Sequence, residues 1–346
     1  MIFPGALKAN IDSNKGFALY PYFEAFYETF QKSSRQTLID FFSKHEHIEQ
    51  WAVFTDYAFY DKNKHSDVVV YSFIPAPTNF SRTSERLDIL SFKDIKHLKK
   101  VNQSFIKEIS ENPILNIAIV FERERKLSFG DERLALAATF DAFRRMVEIW
   151  ISESLPGERD YSSLLDDIQI IERCLLGKGG NLKLLRDIYM IATITAYLVF
   201  EAKNTGKVKK IGWFSDRDTF LSYKKKDLSF PLLLSLIEAM HHVFVVSHDA
   251  KRKSDPFIFG IPESNGAVWY DSFLRIPDLI CATLADHDKK KNKFSHPKFI
   301  PIMEELISSN DKFITLGIRY LKKEPRFEAV RYTYERELDR PLEEQS

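Results

Sequence analysis

The stretch "WAVFTDYAFYDKNKHSDVVVYSFIP", residues 51–75, decides the fold class of this chain. Two runs rich in aromatic and β-branched residues flank the polar turn "DKNKHSD", which is typical of a β-hairpin. The first run, "AVFTDYAFY", is too apolar for a strand with one face in water. We therefore expect this hairpin to lie inside a sheet that carries helices on its faces.

Strand and helix patterns alternate through much of the remaining chain. Apolar runs at 114–122, 207–216 and 242–249 predict three further strands, and 326–335 alternates weakly, as an edge strand does. A hairpin combined with helix-connected strands indicates a mixed α/β sheet flanked by helices. Helices are predicted at 93–111, 228–242 (with Ser229 as N-cap and Pro231 just inside), 298–308 and 311–323.

Residues 131–205 carry only helical patterns. Apolar side chains recur at helical spacing over 136–150 and 164–175, and the glycine-rich "GKGGN" (177–181) ends the second of these helices. The next helix, 184–203, is apolar along most of its length. We expect a helical subdomain beside the sheet that binds a protein partner or gates a site, and whose deletion leaves the sheet folded.

Composition argues against several classes of protein. The chain has 346 residues and a formal net charge of +1, unlike a protein that coats polyanions generically. Cys174 and Cys281 give neither a disulfide framework nor zinc-ligand spacing. The N-terminus lacks a basic head followed by an apolar run, and the longest apolar run, 188–200, is too short to span a bilayer. We therefore expect a cytoplasmic protein with no membrane segment.

Three acids share a position relative to the predicted elements. Asp56 lies within the first strand, Asp216 closes the strand "IGWFS", and Asp278 follows Pro277 at the predicted start of a helix. Strand ends and helix starts along one rim of an α/β sheet commonly form a site. Carboxylates suit Mg²⁺ or Mn²⁺, and two such ions about 4 Å apart promote phosphodiester displacement.

Each acid also has a structural explanation. Asp56 would face solvent on a hairpin, Asp216 and Asp218 would form a turn or a helix cap, and Asp278 would complement a helix dipole. Small residues near Asp278, namely Cys281, Ala282 and Ala285, favour the metal site because they let the helix approach the sheet closely.

The segments "FTDYAFYD", "GWFSDRD" and "YDSFLRIPDLICATLADHD" together resemble the three acidic blocks of the RNase H-like prokaryotic family called domain of unknown function 3800. The resemblance implies an RNase H-like fold with a helical insertion and metal-dependent nuclease chemistry. It implies Asp56, Asp216 and Asp278 as catalytic metal ligands, with Asp271 or Asp218 as an auxiliary ligand. The first block departs from the family, because Asp56-Tyr57-Ala58-Phe59 replaces an Asp-Glu-Ser-Gly type of stretch. Asp61 or Glu122 is a candidate for a further ligand.

The resulting organisation has four parts. They are an N-terminal helical segment (1–48), an RNase H-like core (49–125 and 206–292), a helical insertion (126–205), and C-terminal helices with a tail (293–346).

Nucleic acid is the expected partner, with DNA and RNA both open. Basic clusters at 223–227, 250–254 and 288–293 would form a phosphate-binding rim if they converge, and Trp213 and Trp269 are candidates for base stacking. No histidine pair has the zinc-protease spacing, and no serine lies in a nucleophile elbow. The altered first block favours an alternative, a degenerate RNase H-like protein that binds nucleic acid or a protein without cleaving.

Overall fold

The fold is seen in a computed structural model of the chain. The structure describes residues 19–76, 80–91, 94–122, 124–152, 161–177, 180–223, 228, 231–249, 257–260 and 268–336. The predicted N-cap Ser229, the basic cluster 250–254 and nearly all of the basic cluster 223–227 lie outside these residues.

A mixed sheet of seven strands forms the centre of the protein, and helices flank it, as predicted for the fold class. Its strand order is β5-β4-β1-β2-β3-β6-β7, in which β2 and β7 run antiparallel to their neighbours and the other pairings are parallel. The strands are β1 (Gln50–Ala58), β2 (Asp67–Pro75), β3 (Leu115–Phe121), β4 (Lys210–Ser215), β5 (Ile258–Gly260), β6 (Phe313–Leu321) and β7 (Arg326–Tyr332).

Helices cover both faces of the sheet. They are α1 (Pro21–Ser33), α2 (Arg35–Lys44), α3 (Phe80–Leu90), α4 (Gln103–Glu111), α5 (Glu132–Ser152), α6 (Ser162–Leu176), α7 (Leu182–Asn204), α8 (Thr219–Ser222), α9 (Leu232–His248), α10 (Asp271–Asp286) and α11 (Ile300–Ile302). Short 3₁₀ turns lie at Ile95–His97 and Pro297–Phe299, and a π-helical turn at Met303–Ile307 continues α11.

The two faces of the sheet bury two separate sets of side chains. Alternate strand residues point to opposite faces. Val53 and Tyr71 therefore belong to the larger core, which is shared with α1, α7 and α9. Phe54 and Val70 belong to the other core, which α10 covers. The predicted hairpin is confirmed, and both of its strands are buried on both faces.

Helix α7 is an integral part of the larger core. Gly180 takes a positive φ of 84°, and the side chain of Asn181 then caps the helix by accepting a hydrogen bond from the Leu184 amide. Every residue from Leu184 to Lys203 is buried, and the hydroxyl of Thr195 contacts that of Tyr71 on β2. We therefore revise the expectation that the block 131–205 can be deleted without loss of the sheet. No helix among the described residues is both long enough and apolar enough to cross a membrane.

Two predicted elements are wrong. The predicted strand 242–249 is the second half of α9, where Phe244 packs against rings from α1 and α7; tertiary burial here overrides the β-branched composition. The predicted helix 311–323 is β6, so the segment 293–346 supplies two strands to the sheet. A side chain at Gly317 would collide with the ring of Tyr332, which explains glycine at this point of the β6–β7 pair.

Candidate functional site: an acid cluster at β1, β4 and α10

Asp56 and Asp216 come from adjacent parallel strands. Thr55 of β1 pairs with Ser215 of β4, and the Asp216 amide donates to the Thr55 carbonyl at 3.1 Å. Asp56 and Asp216 are thus the next positions in the same register. Asp56 shares the face of Phe54 and pairs with Val70 of β2, so it points toward the core that α10 covers.

Helix α10 begins earlier than predicted. It starts at Asp271, and Pro277 lies within it rather than at its first position. A proline there lacks the amide that would donate to the carbonyl of Phe273, one turn earlier. Asp278 is therefore in the middle of the helix, beyond the first turn in which a dipole acts on a charge. The dipole explanation of Asp278 does not apply.

Asp278 has a different local partner. Its Oδ2 accepts a hydrogen bond of 3.0 Å from the amide of Ile95, which begins the short 3₁₀ turn before α4. This contact joins α10 to a distant loop. It also gives Asp278 a structural role that sequence reasoning did not consider.

Cys281 lets α10 lie directly on the strands. Its buried thiol donates to the carbonyl of Val68 at 3.2 Å, and the carbonyl of Asp56 lies 3.6 Å from the sulfur. A small side chain at this point brings the helix close to the β1 backbone beside Asp56. This is the close approach that the small residues of the helix predict.

The carboxylates of Asp56, Asp216 and Asp278, hereafter the acid cluster, interact electrostatically. Burial raises the pKa of Asp56 well above its usual value, and the charges of Asp278 and Asp216 raise it further. Burial also raises the pKa of Asp278 to about 6; the Ile95 amide opposes this shift, whereas Asp94 and Asp216 add to it. Like charges that share a buried site disfavour one another's ionised form. The cluster therefore favours binding of protons or cations.

The acid cluster fits a hard cation by chemistry but does not form a closed cage. Among the described residues, no three His, Cys, Asp or Glu side chains are grouped closely enough to hold a metal ion. Mg²⁺ is commonly bound by one or two carboxylates together with waters and substrate phosphate oxygens, so it does not require such a cage. Asp56 and Asp216, adjacent in register, are the pair that best meets this requirement.

Three of the four further candidates have hydrogen-bond or ion-pair partners of their own. Asp218 accepts from the Phe220 amide at 3.0 Å and so caps α8, and burial raises the pKa of its carboxyl. Asp271 forms an ion pair with Arg275 one turn along α10. Asp61 is exposed and closes a turn at the Asn63 amide, and Glu122 is exposed at the end of β3. Asp218 still acts on the acid cluster, because its charge raises the pKa of Asp56. The contacts of Asp271 and Asp61 and the exposure of Glu122 do not support a ligand role.

Sequence reasoning missed Asp94, whose charge raises the pKa of Asp278. Asp94 forms ion pairs with Lys96 at 3.0 Å and with Arg275 at 3.4 Å. It lies just before the 3₁₀ turn Ile95–His97, in the part of the predicted helix 93–111 that is not α-helical, because α4 begins only at Gln103. The helical pattern therefore gave no reason to place Asp94 beside α10. Lys298 also reaches this region, and its ammonium donates to the Ile95 carbonyl at 2.7 Å.

The tryptophans differ in exposure. Trp213 is fully buried in the larger core, so it does not offer a face for base stacking. Trp269 is 52% exposed and packs edge-on against Phe80 and Phe214 just before α10 begins. Only Trp269 of this pair has a surface on which a base can stack.

Comparisons of the chain with protein-family models, with curated proteins and with solved structures find no match.

Proposed function

We propose that this chain is an RNase H-like, Mg²⁺- or Mn²⁺-dependent nuclease that uses the acid cluster. The observation that carries the proposal is the convergence of three acids from β1, from the end of β4 and from α10. Asp56 is buried there, and the charges that act most strongly on it are those of the acidic residues Asp278 and Asp216. Strongly perturbed pKa values cluster at functional sites, which is why these acids support the proposal.

The sheet supports the RNase H-like part of the proposal. β1, β2 and β3 form an antiparallel meander, and β4 and β5 extend it in parallel on the β1 side. The resemblance to the family called domain of unknown function 3800 rests on acids from two of these strands and from α10. Cytoplasmic location and a nucleic-acid partner belong to the same proposal, as does the view of α5–α7 as an insertion that contacts a protein.

Each acid has a distinct task in this proposal. A bound divalent cation would supply charge neutralisation at the phosphodiester and lower the pKa of an attacking water. Asp56 and Asp216 would hold the cation. Asp278, fixed by the Ile95 amide, would orient water or substrate at the edge of the cluster. Burial beneath α10 strengthens these electrostatic interactions because it excludes bulk water.

A second candidate is a protein that binds nucleic acid without cleaving it. Two observations favour it: the first block lacks the glutamate and glycine of the family, and the described acids do not form a three-ligand cage. Such a protein would keep the RNase H-like fold and bind nucleic acid, but it would not cleave phosphodiester bonds.

Cleavage assays with a matched mutant separate the two candidates. We expect the wild type to cut at least one of single- or double-stranded DNA or RNA in Mg²⁺ or Mn²⁺, and EDTA to abolish this activity. Asp56→Asn removes the central charge at constant shape, and should reduce cleavage by about 10²-fold or more and eliminate the rise in melting temperature on adding Mn²⁺. Asp61→Asn, at an exposed turn, is the control and should behave as wild type.

If Asp56→Asn cleaves nucleic acid at the wild-type rate, the acid cluster does not take part in cleavage. Binding of nucleic acid with no cleavage under any of these conditions would establish the second candidate.

A further inference from the structure

Trp269 lies at the protein surface, just before α10 begins at Asp271. It is 52% exposed, whereas the other three tryptophans, Trp51, Trp150 and Trp213, are buried. Single exposed apolar side chains are common on protein surfaces, so exposure alone does not assign a role to Trp269. Its position and its neighbours have to show what it contacts.

The indole of Trp269 lies beside the end of β4, where Asp216 of the acid cluster is found. It contacts the ring of Phe214, two residues before Asp216, at a centroid distance of 5.6 Å. The adjacent Tyr270 donates its hydroxyl to the Ser215 carbonyl at 3.1 Å. Burial raises the pKa of Tyr270, and the charge of Asp216 raises it further. Trp269 is therefore a neighbour of the acid cluster.

Three aromatic rings hold the indole in place. The rings of Phe80, Phe214 and Tyr270 lie 5.4, 5.6 and 5.3 Å from it, at interplanar angles of 85°, 83° and 89°. Such edge-to-face contacts are favourable and fix the orientation of a ring. None of these three rings is parallel to the indole. Trp269 is thus held by its neighbours and still has exposed surface for a flat ligand.

The acid cluster reaches the surface, and exposed cations flank it. Asp216 and Asp278 are half-buried, so a ligand can approach them from solvent. The side chain of Lys96 is 70% exposed, and its pKa is raised by the hydrogen bond to Asp94 and, further, by the charges of Asp278 and Asp216. Arg217 is exposed and directly follows Asp216. Carboxylates that suit a divalent cation, next to exposed cations, fit a ligand with a phosphate backbone.

The distance from Trp269 to the carboxylates matches the spacing of nucleotides. Asp278 lies about 10 Å along α10 from Asp271, at about 1.5 Å per residue. This is the rise of roughly three stacked nucleotides, at about 3.4 Å each. Unpaired bases stack on aromatic side chains, whereas the base faces of a duplex are covered by their neighbours. A stacking contact at Trp269 therefore selects single strands.

We propose that Trp269 stacks on a base of single-stranded nucleic acid whose backbone lies at the acid cluster. The proposal rests on the proposed function, since it names the substrate class of that same site. Phe80, Phe214 and Tyr270 keep the indole in the orientation that receives the base.

Intrinsic fluorescence detects this stacking directly, because the other three tryptophans are buried. We would add single-stranded DNA and RNA of about 12 nucleotides to the full chain, in EDTA and again in Ca²⁺, which takes oxygen ligands as Mg²⁺ does. At least one single strand should quench the fluorescence saturably in at least one of these conditions. A dumbbell duplex, which has no free ends, should quench it little. No quenching by any single strand in either condition would overturn the proposal.

Variants of Trp269 test the contact by the anisotropy of a labelled strand. Trp269→Ala should weaken single-strand binding about tenfold or more, and Trp269→Phe, which keeps an aromatic ring, should restore part of the affinity. Melting temperatures of both variants check that the fold is kept. Phe129→Ala is the matched control, because Phe129 is 51% exposed and packs against Tyr320 and Phe327 of the β6–β7 pair, at the opposite edge of the sheet.

The control should bind single strands as the wild type does. Wild-type affinity in Trp269→Ala, or an equal loss in Phe129→Ala, would contradict stacking at Trp269. The proposed function fails in a different way: a wild type that binds single strands through Trp269 but cleaves none would keep the stacking contact and exclude the nuclease. Metal-dependent cleavage by a chain whose Trp269→Ala variant binds normally would do the reverse.

Discussion

Two groups of buried and half-buried aspartates have opposite electrostatic surroundings in this protein. The acid cluster lies under α10, where burial raises the pKa of Asp56 and of Asp278 and the charge of Asp278 raises that of Asp56 further. The second group, hereafter the arginine network, consists of Asp67, Arg125, Asp187 and Arg186. Burial alone would raise the pKa of Asp187, but the two arginines reverse the effect and leave it lowered.

The arginine network is fully engaged by its own members and neighbours. Arg125 bonds Asp187 at 2.7 Å and also pairs with Asp67, and Tyr60 donates to Asp187 at 2.6 Å. These contacts connect the start of β2 with α7. Buried charge that is paired within the protein supports the structure, whereas buried charge of one sign favours an external proton, cation or ligand. The comparison therefore separates acids that are paired with arginines inside the protein from acids whose carboxylates mainly repel other acids.

The largest effect is expected in the arginine network. Arg125→Ala leaves Asp67 and Asp187 buried without their main cation and should destabilise the protein by about 3–5 kcal/mol. Urea unfolding of both proteins measures this difference. The control is Arg145→Ala on α5, whose pair with Asp141 is exposed and should contribute less than about 1 kcal/mol. Equal losses of unfolding free energy in the two variants would show that the buried arginine network stabilises the protein no more than an exposed ion pair does.

A smaller effect of opposite sign is expected at Asp278. Its pKa in the folded protein is about 6, against 3.8 in the absence of these interactions, so the folded state binds the proton more tightly. The stability that the folded protein gains from this tighter proton binding is complete below about pH 4 and is lost as the pH rises through about 6. Asp278→Asn keeps the acceptor for the Ile95 amide and removes the charge. It should be more stable than the wild type at pH 7 by up to about 3 kcal/mol, at about 1.4 kcal/mol per pKa unit.

Unfolding free energies between pH 4 and pH 7 check this expectation. The wild type should lose stability over that range relative to Asp278→Asn, and the two should converge at pH 4. Asp187→Asn provides the contrast, because the pKa of Asp187 is lowered in the folded protein. The ionised Asp187 therefore stabilises the fold at pH values above its pKa in the unfolded chain, and this stability is lost as the pH falls through its pKa in the folded protein. If Asp278→Asn is less stable than the wild type at pH 7, the charge of Asp278 is neutralised by favourable interactions in the folded protein.

The smallest effect is expected at Asp271. Its carboxylate is 40% exposed and pairs with Arg275 on the same helix, an arrangement that contributes about 0.3–0.5 kcal/mol. Asp271→Asn should therefore change stability by less than about 1 kcal/mol and leave metal-dependent cleavage near the wild-type rate. If Asp271→Asn loses most of its cleavage activity at unchanged stability, Asp271 is a metal ligand as the sequence predicted.

The part of this architecture that follows from local pattern was predictable. The hairpin of β1 and β2, the position of Asp56 within a strand and that of Asp216 directly after one follow from apolar runs and the acids in or beside them. Contacts between distant segments were not predictable. The start of α10 before Pro277 and the hydrogen bond from Ile95 depend on packing that no short window contains.

The errors have the same physical cause. The segment 242–249 has strand composition, yet it is helical because α9 packs along α7. The segment 311–323 gave a helical pattern, yet β3 and β7 pair with it as β6.

The rate at which the Cys281 thiol is chemically modified measures how often α10 separates from the sheet. Because its hydrogen is shared with backbone carbonyls of β1 and β2 and its pKa is raised, it cannot react with an alkylating reagent while the helix lies on the sheet. Its modification rate in the native protein therefore reports how often the packing of α10 on the sheet opens, whether locally or by global unfolding. A ligand that bridges Asp56 and Asp278 would slow that rate, so chemical labelling can detect occupancy of the cluster without any assay of turnover.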